Sequence, residues 1–126
     1  MKLVIGGAGQ GKLAYVLERT GLGPEDVTYT LGTPKPIVCG LSGIVRRALD
    51  RDRDPVAEVL AYAGLHPDTV FLCDEVGCGV VPANPRERAW REAVGRLCCA
   101  LAERAELVER VFCGLPMTLK EERGWK

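Results

Sequence analysis

Lys2-Leu3-Val4-Ile5-Gly6-Gly7-Ala8-Gly9-Gln10-Gly11-Lys12 is a short apolar run that breaks into glycines and ends on a lysine. Residues 2–5 suit a buried strand, and beyond the turn Leu13, Val16 and Leu17 recur at helical spacing until Gly21 and Gly23. Gly6 to Lys12 fits the pattern GxxxxGK between strand and helix. In that pattern glycines let backbone N–H groups curl around phosphate oxygens, and the helix N-terminus adds a favourable dipole. Gly6, Gly7, Ala8, Gly9, Gln10 and Gly11 are therefore candidate phosphate-binding positions, with Lys12 reaching the β- and γ-phosphates. The bland alternative is a plain glycine-rich turn with a solvated lysine. Position 13, where the pattern expects a Mg²⁺-ligating hydroxyl, holds Leu13.

Outward from this stretch, strands and helices alternate. Val27 to Leu31 reads as a second strand and Ile37-Val38-Cys39 as a short third. Leu41 to Leu65 is helical but interrupted at Asp50-Arg51-Asp52-Arg53-Asp54-Pro55, an exposed turn between two helices. Thr69 to Cys73 is a continuous apolar run, as expected of a strand covered on both faces. It stops at Asp74-Glu75 and enters a second glycine-rich turn, Gly77-Cys78-Gly79, then Val80-Val81-Pro82. A long helix follows from Pro85 to Arg104, with the apolar stripe Trp90, Val94, Leu97, Cys98 and Leu101. Leu107 to Cys113 reads as a strand, and Gly114-Leu115-Pro116 as a turn before a short tail. The expected fold is an α/β three-layer sandwich on a mostly parallel sheet. Both glycine-rich turns follow carboxyl ends of strands, where such sheets bind ligands.

Composition narrows the classes. A chain of 126 residues, 47% hydrophobic and 27% charged, is expected to form one globular domain. Seventeen basic residues balance seventeen acidic ones, so net charge offers nothing to attract nucleic acid or an anionic membrane. No apolar run approaches a membrane span and no signal-peptide core is present, so a cytoplasmic location is expected. The six cysteines form no CxxC pair, and His66, the one histidine, has no cysteine at ligand spacing. They are expected to be reduced, buried, structural thiols.

Two further elements carry chemistry. Asp74 and Glu75, ending a buried strand, suit a site where a carboxylate orients Mg²⁺-bound water or acts as a base; Glu75 is preferred, with Asp74 second. An acidic turn capping the sheet is the alternative. On the long helix Arg88, Arg91, Glu92 and Gly95 share a stripe with Arg96 at its edge. That stripe is either a salt-bridged solvated surface or one that contacts an anion or another subunit.

Taken together, Gly6-Gly7-Ala8 with Gly11-Lys12, then Glu75-Val76-Gly77 with Gly79-Val80-Val81-Pro82, then Arg88, Arg91 and Gly95-Arg96 resemble the adenosylcobinamide kinase / adenosylcobinamide-phosphate guanylyltransferases of cobalamin biosynthesis. The closing segment, from Ala102 and Ala105 to Gly114-Leu115-Pro116 and Lys120, follows the same pattern. The resemblance implies a RecA-like P-loop fold, often trimeric, that phosphorylates the aminopropanol hydroxyl of adenosylcobinamide with ATP or GTP and Mg²⁺. It also implies GMP transfer through a guanylyl-histidine. Carried over, Gly6 to Lys12 and Leu13 would hold nucleotide, Glu75 and Asp74 the metal, and Arg88 and Arg91 would sit on the signature helix.

The chain departs from that family in lacking much of the segment between the first helix and residue 69, where the guanylylated histidine lies. His66 does not match that position and reads as a surface loop residue, so no transfer by the histidine route is expected. Leu13 and Cys98-Cys99 replace polar family residues. The alternatives are a non-catalytic nucleotide- or corrinoid-binding protein and a P-loop kinase for another small alcohol.

Overall fold

The computed structural model describes residues 1–76 and 84–125. The second glycine-rich turn, Gly77 to Pro82 with Cys78, lies outside the described residues.

The described elements are β1 (Lys2–Gly6), α1 (Lys12–Thr20), β2 (Val27–Thr28), β3 (Ile37–Val38), α2 (Leu41–Asp50), α3 (Pro55–Leu65), β4 (Val70–Asp74), α4 (Pro85–Arg104), β5 (Leu107–Phe112) and β6 (Leu115–Glu121). The strands form one sheet in the order β2-β3-β4-β1-β5-β6. Every pairing is parallel except β5 with β6. The α/β expectation is met.

Strand alternation sorts the side chains into two layers. Val4, Ile37, Val70, Leu72 and Val111 pack with Val16 of α1 on one face. Leu3, Val38, Phe71, Cys73 and Val108 pack with α2, α3 and α4 on the other. Both faces are covered, which is why β1 and β4 read as unbroken apolar runs.

Local signals set the helix ends. Gly21 takes φ 74° and its N–H donates to the Leu17 carbonyl at 2.9 Å, ending α1. Asp54 caps α3 by accepting from the Ala57 N–H, with Pro55 at the first turn. Asn84 and Pro85 repeat the device at α4. Its stripe is as expected: Val94, Leu97 and Leu101 are buried, and half-buried Trp90 donates Nε1–H to the Ser42 carbonyl at 2.8 Å.

Three expectations need correction. The second strand stops at Thr28, because the Thr28 hydroxyl bonds the Thr30 carbonyl at 3.1 Å and accepts from its N–H at 3.3 Å, bending the chain. The turn expected at Gly114-Leu115-Pro116 lies one residue earlier, at Cys113-Gly114 with φ 53° and 75°, and the segment beyond it is strand β6. Cys39 and Cys73 are buried as expected, but Cys99 and Cys113 are exposed. Cys99 lies on the outer side of α4 and Cys113 occupies the tight turn.

Candidate functional site

Gly6 is where β1 must approach β5 closely: a Cβ there would lie 2.5 Å from the Val111 carbonyl oxygen. Gly9 and Gly11 adopt φ 73° and 89°, a region costly for residues with side chains. The turn they form is braced from outside. The Gln10 side chain accepts from the Cys113 N–H at 2.7 Å, and the Gln10 carbonyl accepts from the Gly114 N–H at 2.8 Å. The β5–β6 turn therefore buttresses the glycine loop. Nothing in the local sequence pairs these segments, which lie about a hundred residues apart.

Gly11 is the N-cap of α1, so the helix begins with its free N–H groups facing the loop. Lys12, at the first helical position, is buried, and its Nζ donates to the carbonyls of Gly6 at 3.0 Å and Gly7 at 2.9 Å. The same ammonium pairs with Asp74 Oδ1 at 2.6 Å. Lys12 thus links the glycine loop, through the Gly6 and Gly7 carbonyls, to one carboxylate at the carboxyl end of β4, beside Gly6 in the parallel register. Such a constellation can receive an anion, with the lysine released from its carbonyls to meet it.

A cleft of about 300 Å³ opens here, lined by Gly11, Lys12, Leu13, Tyr29, Cys39 and Asp74 among others. Leu13 packs its side chain against the α1-face core. Exposed Tyr29 stands over Gly40, where a Cβ would come within 3.2 Å of its ring. Burial pushes the Cys39 thiol up to about 11, so this wall of the cleft is neutral at physiological pH.

Asp74 and Glu75 point to opposite faces, as neighbours at a strand end must. Asp74 joins Lys12 on the α1 side. Glu75 lies on the α4 side, where Arg110 of β5 donates Nε–H to Oε1 at 2.7 Å and a second N–H to Oε2 at 3.1 Å. Sequence reasoning passed over Arg110; its signal was a lone cation inside the apolar run of β5. Arg91 lines a second cleft with Asp74 and Glu75, whereas Arg88 is exposed one turn nearer the N-terminus of α4. Below Glu75, the hydrogen bond between Cys73 and Cys98, reinforced by burial, drives the Cys73 thiol well above its ordinary range. The same bond holds Cys98 below it.

On the α1 side, buried Glu109 accepts from the Tyr15 hydroxyl at 2.5 Å, Trp125 Nε1–H at 3.0 Å and the Thr118 hydroxyl at 3.0 Å. Burial and this carboxylate raise the Tyr15 pKa. The network ties the helix that carries Lys12 to β5, β6 and the segment after it. His66 lies at the other end of the sheet: it caps α3 just before β4, half-buried, its ring 4.6 Å from that of Tyr62. The topology does not bring it to Lys12.

Among the described residues, no helix is long and apolar enough to cross a membrane, and no group of three or more His, Cys, Asp or Glu side chains is arranged to hold a metal ion on its own.

A family model described as cobinamide kinase / cobinamide phosphate guanyltransferase matches residues 42–119. The bifunctional adenosylcobalamin biosynthesis protein CobP of Pseudomonas aeruginosa is 40% identical over 74 residues, which cover 59% of this chain and 42% of that protein. The chain thus spans less than half the length of the curated relative it matches. The glycine loop, Gly6 to Lys12, precedes the segment matched by the family model.

Proposed function

We propose a function from one premise: the chain belongs to the cobinamide kinase / cobinamide phosphate guanyltransferase family. It acts in cobalamin biosynthesis as a P-loop kinase that transfers the γ-phosphoryl group of ATP or GTP to the side-chain hydroxyl of adenosylcobinamide. The observation carrying this reading is Lys12, which bonds the carbonyls of the glycine loop and lies 2.6 Å from the Asp74 carboxylate.

The residues divide the work. Loop N–H groups from Gly6 to Lys12 and the first turn of α1 hold the phosphates. Lys12 exchanges the carbonyls of Gly6 and Gly7 for β- and γ-phosphate oxygens. Magnesium fits this donor set, because the ion is commonly held by one or two carboxylates plus phosphate oxygens and water. Asp74 would supply the protein ligand, and Leu13 none. Bound there, the ion would neutralise charge on the β- and γ-phosphates. Glu75, oriented by Arg110, accepts the acceptor hydroxyl's proton as the new O–P bond forms and the β–γ bridging bond breaks. Arg91 stands on the same side for the transferring group.

The chain performs the kinase step alone. His66, at the opposite end of the sheet from Lys12, supports leaving the guanylyl-histidine route out. We extend the proposal to a homo-oligomer, supported by the exposed Phe112, Leu115, Met117 and Leu119 along the β5–β6 hairpin.

A second reading, a nucleotide- or corrinoid-binding protein without catalysis, is favoured by Leu13 and by the shortened segment between the first helix and residue 69. The deciding experiment incubates the protein with adenosylcobinamide, Mg²⁺ and ATP or GTP and follows the corrinoid mass. A product heavier by one phosphoryl group is expected. Unchanged corrinoid with retained nucleotide binding would favour the second reading.

A further inference from the structure

A second cleft, about 210 Å³, lies on the α4 side of the sheet end, lined by Ile5, Asp74, Glu75, Val76, Arg91, Val94, Gly95 and Cys98. Its body is apolar, formed by Ile5, Val76, Val94 and the Cys98 thiol. Its polar groups are Asp74, Glu75 and Arg91. Asp74 is shared: among the described residues it lines both this cleft and the one at the glycine loop. The two clefts meet at the carboxylate that pairs with Lys12.

Gly95 is the telling residue. It lies inside the long helix α4, where glycine is costly to helix stability. Its φ is not in the left-handed region, and a Cβ built on it would meet nothing within 4 Å among the described residues. Neither its backbone conformation nor its packing against the described residues calls for glycine here. What glycine supplies is unfilled space on the wall of the cleft.

We propose that this cleft is the acceptor subsite, taking a short hydroxyalkyl arm whose carbons lie against Ile5, Val76 and Val94 and whose hydroxyl points to Glu75. This deepens the kinase reading and rests on it for the identity of the acceptor. At about 210 Å³, the cleft formed by the described residues suits a small aliphatic group with one polar end, with the bulk of the acceptor outside it. With nucleotide phosphates entering from the Lys12 side, donor and acceptor approach Asp74 from opposite faces of the sheet end. That arrangement is what in-line transfer requires.

The test uses Gly95→Leu, which fills the space, and Gly95→Ala, a smaller change that favours the helix. Adenosylcobinamide binding is followed by corrinoid absorbance, ATP and GTP binding by calorimetry, and folding by Tm. Gly95→Leu should bind adenosylcobinamide at least tenfold more weakly than wild type while nucleotide affinity is unchanged. Gly95→Ala should melt no lower than wild type and show a smaller loss of corrinoid affinity. Wild-type corrinoid affinity in both variants would overturn the subsite, as would failure of the wild-type chain to bind adenosylcobinamide. Corrinoid that binds, is lost in Gly95→Leu, and is never phosphorylated would leave the subsite standing and remove the kinase reading.

Discussion

Asp74 and Glu75 differ by one position in sequence and by a whole face in space. The pair was legible as acidic residues ending a buried strand. That they take separate partners was not, because it depends on Lys12 reaching Asp74 from α1 and Arg110 reaching Glu75 from β5. Lys12 and its loop were legible because the spacing is local. Arg110 was not, because its partner is 35 residues away in the chain. We propose Asp74, beside Lys12, as the metal-holding group and Glu75, on Arg110, as the base. Asp74→Asn should therefore weaken the Mg²⁺ dependence of nucleotide binding. Glu75→Gln should leave nucleotide affinity intact and lower turnover about a hundredfold, the scale of losing a general base. Titrations with and without Mg²⁺, alongside steady-state kinetics, separate the two; full turnover in Glu75→Gln would remove it as base.

Helices announced themselves through periodicity and caps, and the break between α2 and α3 through Pro55. Strand β6 escaped because six of its seven residues are exposed, leaving no alternating burial for the pattern to reveal. Its turn, Cys113-Gly114, also lacks the Asn-Gly or Asp-Gly signature of a two-residue hairpin. Cys113 holds φ 53°, which asparagine tolerates better than cysteine does. Cys113→Asn should stabilise the fold by up to about 1 kcal/mol, part of the cost of a left-handed residue, while keeping the backbone N–H that braces Gln10. A rise in the urea midpoint at constant slope is the expected result, and a fall would show that the cysteine side chain contributes something the geometry does not reveal.

Across the molecule, Glu106 joins the two ends of the described chain. Its carboxylate meets Lys2 Nζ at 3.0 Å and Arg123 Nε at 3.9 Å, and its carbonyl accepts from the N–H groups of Glu122 and Arg123. The bond to Lys2 lowers its pKa below the ordinary 4.5. A depressed folded pKa means that the unfolded chain takes up the proton first as pH falls. The stabilisation is therefore complete above about 4.5 and lost as pH falls through the lower folded value. Glu106→Gln should be less stable than wild type at pH 7, with the gap closing in acid, as followed by denaturant unfolding across pH 2–7. A gap that does not narrow in acid would show that the ion pairs carry no stability.

All of the proposed chemistry presupposes a nucleoside triphosphate on the loop from Gly6 to Lys12, and a calorimetric titration tests that most directly. Wild-type protein and Lys12→Ala are each titrated with ATP and with GTP in the presence of Mg²⁺. Saturable binding to wild type by at least one nucleotide is predicted, with about a hundredfold loss or more in Lys12→Ala. Equal affinity in the two proteins, or none in either, would contradict the account.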